Sequence, residues 1–126
     1  MKIFLKIVKI TFLVLLALIV IAISTFVYFD RFHKTEIYRE NSPDGLHTFV
    51  LCQVGSPGWP FGPVKAEIRV LNAKGRTVAK EAFWVNNDGG SLHEFNIKAI
   101  RWSEAKLELD LKGADDPTPT TYVLNW

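Results

Sequence analysis

The sequence contains few residue combinations that could perform catalysis or bind a metal ion. Its histidines are His33, His47 and His93, and none has a second histidine or cysteine at a spacing typical of zinc ligands. His47 precedes Cys52 by five positions in what reads as a strand, so the two side chains would point to opposite faces. We therefore predict no metal site and no cofactor.

A hydrolase would need a serine or cysteine nucleophile beside a base, and the serines do not lie in that context. Apart from Ser24 in the apolar N-terminal run, they occur in turns rich in Gly and Pro or beside a strand end: Ser42, Ser56, Ser91 and Ser103. The oxygen-bearing segments 86–88 (Asn-Asn-Asp) and 115–116 (Asp-Asp) do not fit the spacing of a calcium loop. These absences predict that the protein is not an enzyme.

Cys52 is the only cysteine, so no disulfide can form within the chain and the domain must be held by its core. It lies in the apolar run 48–54, which is typical of a buried strand. We favour a small core residue as its role. The alternative is a reactive thiol or one that bridges to a partner.

Two aromatic residues, Trp59 and Phe61, lie in the segment 55–63, which has three Gly and three Pro in nine residues. Such a segment forms neither helix nor strand. Either the two rings fold back as a plug under the domain, which we favour, or they are exposed and bind a partner. They are our candidate partner-binding residues. Three other tryptophans lie in predicted strands and are expected in the core: Trp84, Trp102 and Trp126.

The N-terminal part of the chain predicts a membrane anchor. Residues 10–29 contain no charge, no Gly and no Pro, and 20 helical residues span about 30 Å, the thickness of a bilayer core. We predict a cytoplasmic basic leader at 1–9, a transmembrane helix at 10–29, a juxtamembrane linker at 30–35 and a periplasmic β-domain at 36–126. The alternative is a signal peptide cleaved near Ser24, although the apolar run continues past that point.

The charge distribution supports this orientation and excludes one class of partner. Three lysines precede the apolar run without any acidic residue, which favours a cytoplasmic N-terminus. The remaining chain carries 12 basic and 13 acidic residues, so its net charge is −1. A nearly neutral domain lacks the basic surface that nucleic acid requires.

The rest of the chain predicts an all-β domain. The segment 64–72 alternates apolar and charged residues, as a strand with one wet face does. Turn signals rich in Gly, Pro and Asn separate about seven such segments at intervals of roughly ten residues, which is typical of an antiparallel sandwich or small barrel. The predicted strands are 36–40, 47–54, 64–72, 76–85, 95–102, 106–112 and 120–126.

The order of these motifs resembles a group of small bacterial envelope proteins of unknown function. The similarity covers residues 38–111, including the turn 42–45 (Ser-Pro-Asp-Gly), the hairpin containing Gly75, and the segment 100–103 before a Leu-alternating strand. The resemblance implies a β-domain behind an anchor in the bacterial inner membrane. It carries over no catalytic residue, and some such proteins look like immunity factors encoded beside toxins.

Together these features predict a membrane-anchored periplasmic protein-binding domain without catalysis, with toxin immunity as one role. The alternatives are a structural subunit of an envelope complex and a small-ligand-binding domain, which would require a pocket with convergent polar groups. The partners expected are the membrane and another protein.

Overall fold

A computed structural model describes all residues, 1–126, as one long helix followed by seven strands. The helix, α1, runs from Lys2 to Arg31 and buries none of its residues against the rest of the chain. It is long and apolar enough to cross a membrane. It extends beyond both ends of the predicted span 10–29, because neither the basic leader nor the charged end contains a helix-breaking residue.

The strand bounds follow the alternation of the sequence closely. The strands are β1 (Lys34–Asn41), β2 (His47–Val54), β3 (Val64–Asn72), β4 (Thr77–Val85), β5 (Ile97–Ser103), β6 (Lys106–Leu111) and β7 (Thr120–Asn125). A short 3-10 helix, Glu94–Asn96, precedes β5. The observed linker between α1 and β1 is shorter than the predicted 30–35, because Lys34 already pairs with Val54 across the sheet.

The strands form two antiparallel sheets, in the orders β1-β2-β3-β4 and β5-β6-β7. Every connection within a sheet joins neighbouring strands, so both sheets are simple meanders. The prediction of seven antiparallel strands is confirmed, and the two separate sheets identify the architecture as a sandwich. The rings of Phe83 and Tyr122 stack with centroids 3.6 Å apart where β4 meets β7.

The core lies between the two sheets. Alternate residues of β3, including Ile68 and Val70, face alternate residues of β6, including Leu107 and Leu109, and all four are fully buried. Leu92, from the loop before β5, closes one end of this layer. Burial of such side chains contributes about 1.5–3 kcal/mol each, which is how a domain without disulfides holds its fold.

Strand β2 is buried on both faces, as its apolar sequence predicts. On its outer face Val50 and Cys52 are covered by long charged side chains of neighbouring strands. Arg69 Nη2 lies 3.7 Å from Cys52 Sγ, and Lys34 Nζ lies 3.0 Å from Glu67 Oε2. Cys52 is therefore a small buried residue under a layer of ion pairs.

The sandwich has two distinct ends. The helix end contains the loops 55–63, 86–96 and 112–119, and the far end contains the turns 42–46, 72–76 and 103–105 together with Trp126.

Candidate functional site

At the helix end, the loop 55–63 is hydrogen-bonded directly to the C-terminal part of α1. The backbone N–H of Ser56 donates to Asp30 O at 2.6 Å, and that of Gly55 donates to His33 O at 2.7 Å. Gly55 has φ +69°, and a Cβ atom there would clash with Asp30 O. Glycine is required at this position because no other residue combines this φ with this approach.

The tip of the loop is a closed turn. The N–H of Gly58 donates to Pro63 O at 2.9 Å, and the N–H of Gly62 donates to Gly58 O at 2.8 Å. Gly89 in turn donates to Gly62 O at 2.9 Å, and its Cα packs against the backbone of Pro60. The backbone of the tip is thus held by hydrogen bonds within the loop and by Gly89. Trp59 and Phe61 flank Pro60, the residue against which Gly89 packs.

The side chains of Trp59 and Phe61 are exposed, with 92% and 73% of their surface accessible. The favoured interpretation of these rings as a plug is therefore wrong. The tip is fixed by its backbone, so its rings need no contact with the core. Their predicted role in partner binding stays a prediction. Trp84 is also not in the core, being 61% exposed, because its register opposite Lys65 places it on the outer face of β4.

A buried asparagine connects the loops of the helix end. Asn87 Nδ2 donates to Gly90 O at 3.1 Å and to Ser91 O at 2.9 Å. Its Oδ1 accepts from Asn96 Nδ2 at 3.2 Å and from the backbone N–H of Ala114 at 2.9 Å. All the hydrogen-bonding capacity of this amide is used within the fold, so it is structural.

The far end contains an open cleft of about 630 Å³. It lies between the turn that joins β1 to β2 and the turn that joins β5 to β6. Its lining residues include Leu46, His47, Trp102, Ser103, Glu104 and Trp126. The ring centroids of His47 and Trp126 are 4.7 Å apart, and those of Trp102 and Trp126 are 6.2 Å apart in an edge-to-face arrangement.

The polar groups of the turn 42–46 beside this cleft bond to one another. Ser42 Oγ donates to Asp44 Oδ1 and accepts from the N–H of His47 at 3.1 Å, and Asp44 Oδ1 also accepts from the N–H of Leu46 at 2.9 Å. The Ser42 hydroxyl and this N–H lower the pKa of the Asp44 carboxyl. The turn is therefore rigid, and the carboxylate is occupied in holding it.

The two potentially reactive side chains of β2 do not meet. His47 and Cys52 lie on opposite faces of β2, as their spacing predicts, and Cys52 is buried. No three His, Cys, Asp or Glu side chains converge in a way that could hold a metal ion. What the two ends offer are contact surfaces: exposed rings at the helix end and an aromatic-lined cleft at the far end.

Sequence reasoning identified Trp59 and Phe61 but missed the cleft at the far end. The cleft forms because the turn 42–46 and the residues Trp102 and Trp126, far apart in sequence, meet at one end of the sandwich. The sequence places one tryptophan near the end of β5 (Trp102) and one just after β7 (Trp126). It does not show that these two strand ends lie side by side in the fold.

Searches of protein-family models, of curated proteins and of solved structures found no match to this chain. The resemblance to bacterial envelope proteins stays a prediction, and functional inference rests on the geometry of the two ends.

Proposed function

We propose that this protein is a membrane-anchored, non-catalytic protein-binding module of the bacterial envelope. Its helix would cross the inner membrane with the N-terminus in the cytoplasm, and the sandwich would lie in the periplasm. The excess of lysine before the apolar run supports this orientation. The observation that carries the proposal is the cleft at the far end, which lies opposite the end where α1 joins the domain.

The chemistry of the cleft favours a protein segment over a small polar ligand. Ser42 and Asp44 already bond to each other and to the turn backbone, so they are not free to recognise a ligand. The apolar and aromatic groups left to make contacts are chiefly Leu46, Trp102 and Trp126, and His47, Ser103 and Glu104 lie beside them. Tryptophan is enriched among the residues that dominate protein–protein binding energy.

Two biological roles would use this arrangement: neutralising a toxin, and joining subunits of an envelope complex. Both require an anchored domain with a binding surface directed away from the membrane. An adjacent toxin gene would distinguish the first role from the second. The loop with Trp59 and Phe61 is the other candidate binding surface, and the experiment below separates the two.

The test is site-specific photocrosslinking of the full-length protein in membranes. A photoreactive amino acid is placed at Leu46, which is 57% exposed in the cleft, at Phe61, or at Val123, which is 43% exposed on the outer face of β7. We expect a discrete protein adduct from position 46 and none from position 123. Adducts from position 61 alone would move the site to the helix end. Absence of an adduct from both 46 and 61 would contradict a protein-binding role.

A further inference from the structure

The exposed rings of the loop 55–63 lie close to the point where α1 ends. Phe29 is the last residue of the uncharged run, and Asp30 follows it. Ser56 bonds to the backbone of Asp30, so the base of the loop lies within one hydrogen bond of the end of the apolar segment. When α1 spans a bilayer, this level corresponds to the headgroup region.

The same level of α1 already carries aromatic rings. Phe29 and His33 have ring centroids 5.0 Å apart, Tyr28 lies 5.5 Å from Phe29, and Phe32 is 62% exposed. Aromatic residues concentrate where a transmembrane helix meets the interface. Trp59 and Phe61 would add two rings from the β-domain to this group of rings on the helix.

The composition of the loop suits a lipid surface. No residue from Val54 to Val64 carries a charge, so placing this stretch among headgroups and upper acyl chains desolvates no ion. The indole ring is apolar with one N–H donor, which matches an environment that is apolar on one side and wet on the other. The hydrogen bonds of Gly58 and Gly62 hold the tip closed, so little conformational entropy is lost when it inserts.

We propose that Trp59 and Phe61 form a second membrane contact, inserted into the interfacial layer of the bilayer that α1 crosses. The domain then meets the membrane at two points, the end of the helix and the tip of the loop. This contact is independent of any protein partner at the far end. It explains why two large rings are left exposed on a backbone that is otherwise fixed.

The test uses tryptophan fluorescence of the full-length protein in phosphatidylcholine vesicles, with and without brominated acyl chains as quenchers. We expect the wild-type protein to show lipid-dependent quenching and the Trp59→Phe variant to lose most of it. Trp126→Phe, at the far end, is the matched control and should keep the quenching. Circular dichroism of each variant verifies that the sheet is intact.

A second variant makes the result decisive. Adding Phe61→Trp to the Trp59→Phe background places an indole on the other side of the tip, and we expect the quenching to return. If Trp59→Phe quenches like the wild-type protein, the loop does not contact lipid, and if Phe61→Trp restores nothing, Phe61 takes no part in the contact. The exposed rings would then be free for a protein, and this inference would be overturned.

Discussion

Both ends of the sandwich expose aromatic side chains, but the two groups of side chains are held in place differently. At the helix end the backbone of the tip is hydrogen-bonded on both sides while Trp59 and Phe61 contact little of the domain. At the far end Trp102 and Trp126 are half-buried and pack against the core as well as against each other. The first surface can therefore change without loss of stability. At the far end, the side chains proposed to bind a partner also contribute to stability.

The loop network at the helix end should show the largest effect. Replacing Asn87 by Ala removes four part-buried hydrogen bonds that join the loops, so we expect a loss of about 3 kcal/mol in the free energy of unfolding. Urea denaturation of the full-length protein in detergent measures it. Asn86→Ala is the control, because Asn86 makes one exposed side-chain hydrogen bond, of 3.4 Å, and should change stability by less than about 0.5 kcal/mol.

The far end should respond nearly as strongly to loss of an aromatic ring. Cutting a fully buried aromatic to Ala costs about 3–5 kcal/mol, and the half-buried Trp102 should cost about 2 kcal/mol. Trp59→Ala, measured by the same urea titration, should cost less than about 0.5 kcal/mol because its ring is 92% exposed. Equal losses for Trp102→Ala and Trp59→Ala would remove the distinction between the two ends.

Two glycines with similar positive φ provide a finer comparison. Gly55 at the helix end has φ +69° with Asp30 O in the way, and Gly45 at the far end has φ +73° with open space around it. We expect Gly45→Ala to cost about 1 kcal/mol from backbone strain alone. Gly55→Ala should cost about 2 kcal/mol and also loosen the link to α1.

That loosening is measurable as a distance. Spin labels on α1 and on the far end of β3 should give a narrow distance distribution in the wild-type protein and in Gly45→Ala. The distribution should broaden in Gly55→Ala. A narrow distribution in all three proteins would mean that the hydrogen bonds of the loop 55–63 do not set the position of the domain.

The smallest effect on stability is expected from an ion pair that lies at neither end of the sandwich. On the outer face of the three-stranded sheet, Arg101 bonds both oxygens of Asp110 and, together with Thr121 Oγ1, lowers the pKa of that carboxyl to about 2. Because the folded pKa lies below the ordinary value of 3.8, this pair stabilises the fold above about pH 4 and ceases to do so as pH falls through about 2.

The corresponding measurement is the melting temperature of the wild-type protein and of Arg101→Gln from pH 6 to pH 2. We expect a small advantage of the wild-type protein at pH 6 that shrinks as the solution is acidified. An advantage that grows toward pH 2 would contradict the ionised state of Asp110 in the folded protein.

The sequence predicts the strands well because each is encoded locally. The alternation within 64–72, the double-sided apolar run 47–54 and the turn residues between them agree with the observed bounds. The number of strands and the all-β class follow from these signals. The choice of a sandwich over a barrel does not, since it depends on whether β4 hydrogen-bonds to β5, and no local residue determines that.

The site was less predictable because exposure is a property of tertiary contacts. For Trp59 and Phe61 the sequence leaves a buried plug and an exposed contact open and favours the plug, yet the hydrogen bonds of Gly58 and Gly62 fix the loop without using the rings. Trp84 is also expected in the core, although the alternation of side chains along β4 places it on the outer face. Its neighbours Phe83 and Val85 face the core, so the residue between them must face outward.

The short connection between α1 and β1 limits how far the domain can reach. Only Phe32 and His33 separate the two elements, and β1 has eight residues. At about 3.3 Å per residue, the far end lies at most about 26 Å beyond the start of β1. With α1 as the proposed membrane anchor, a partner tethered in the same membrane would need roughly eight extended residues to touch the cleft. In the proposed arrangement the β-domain sets the height of the cleft above the membrane, and lengthening the connection would increase that height.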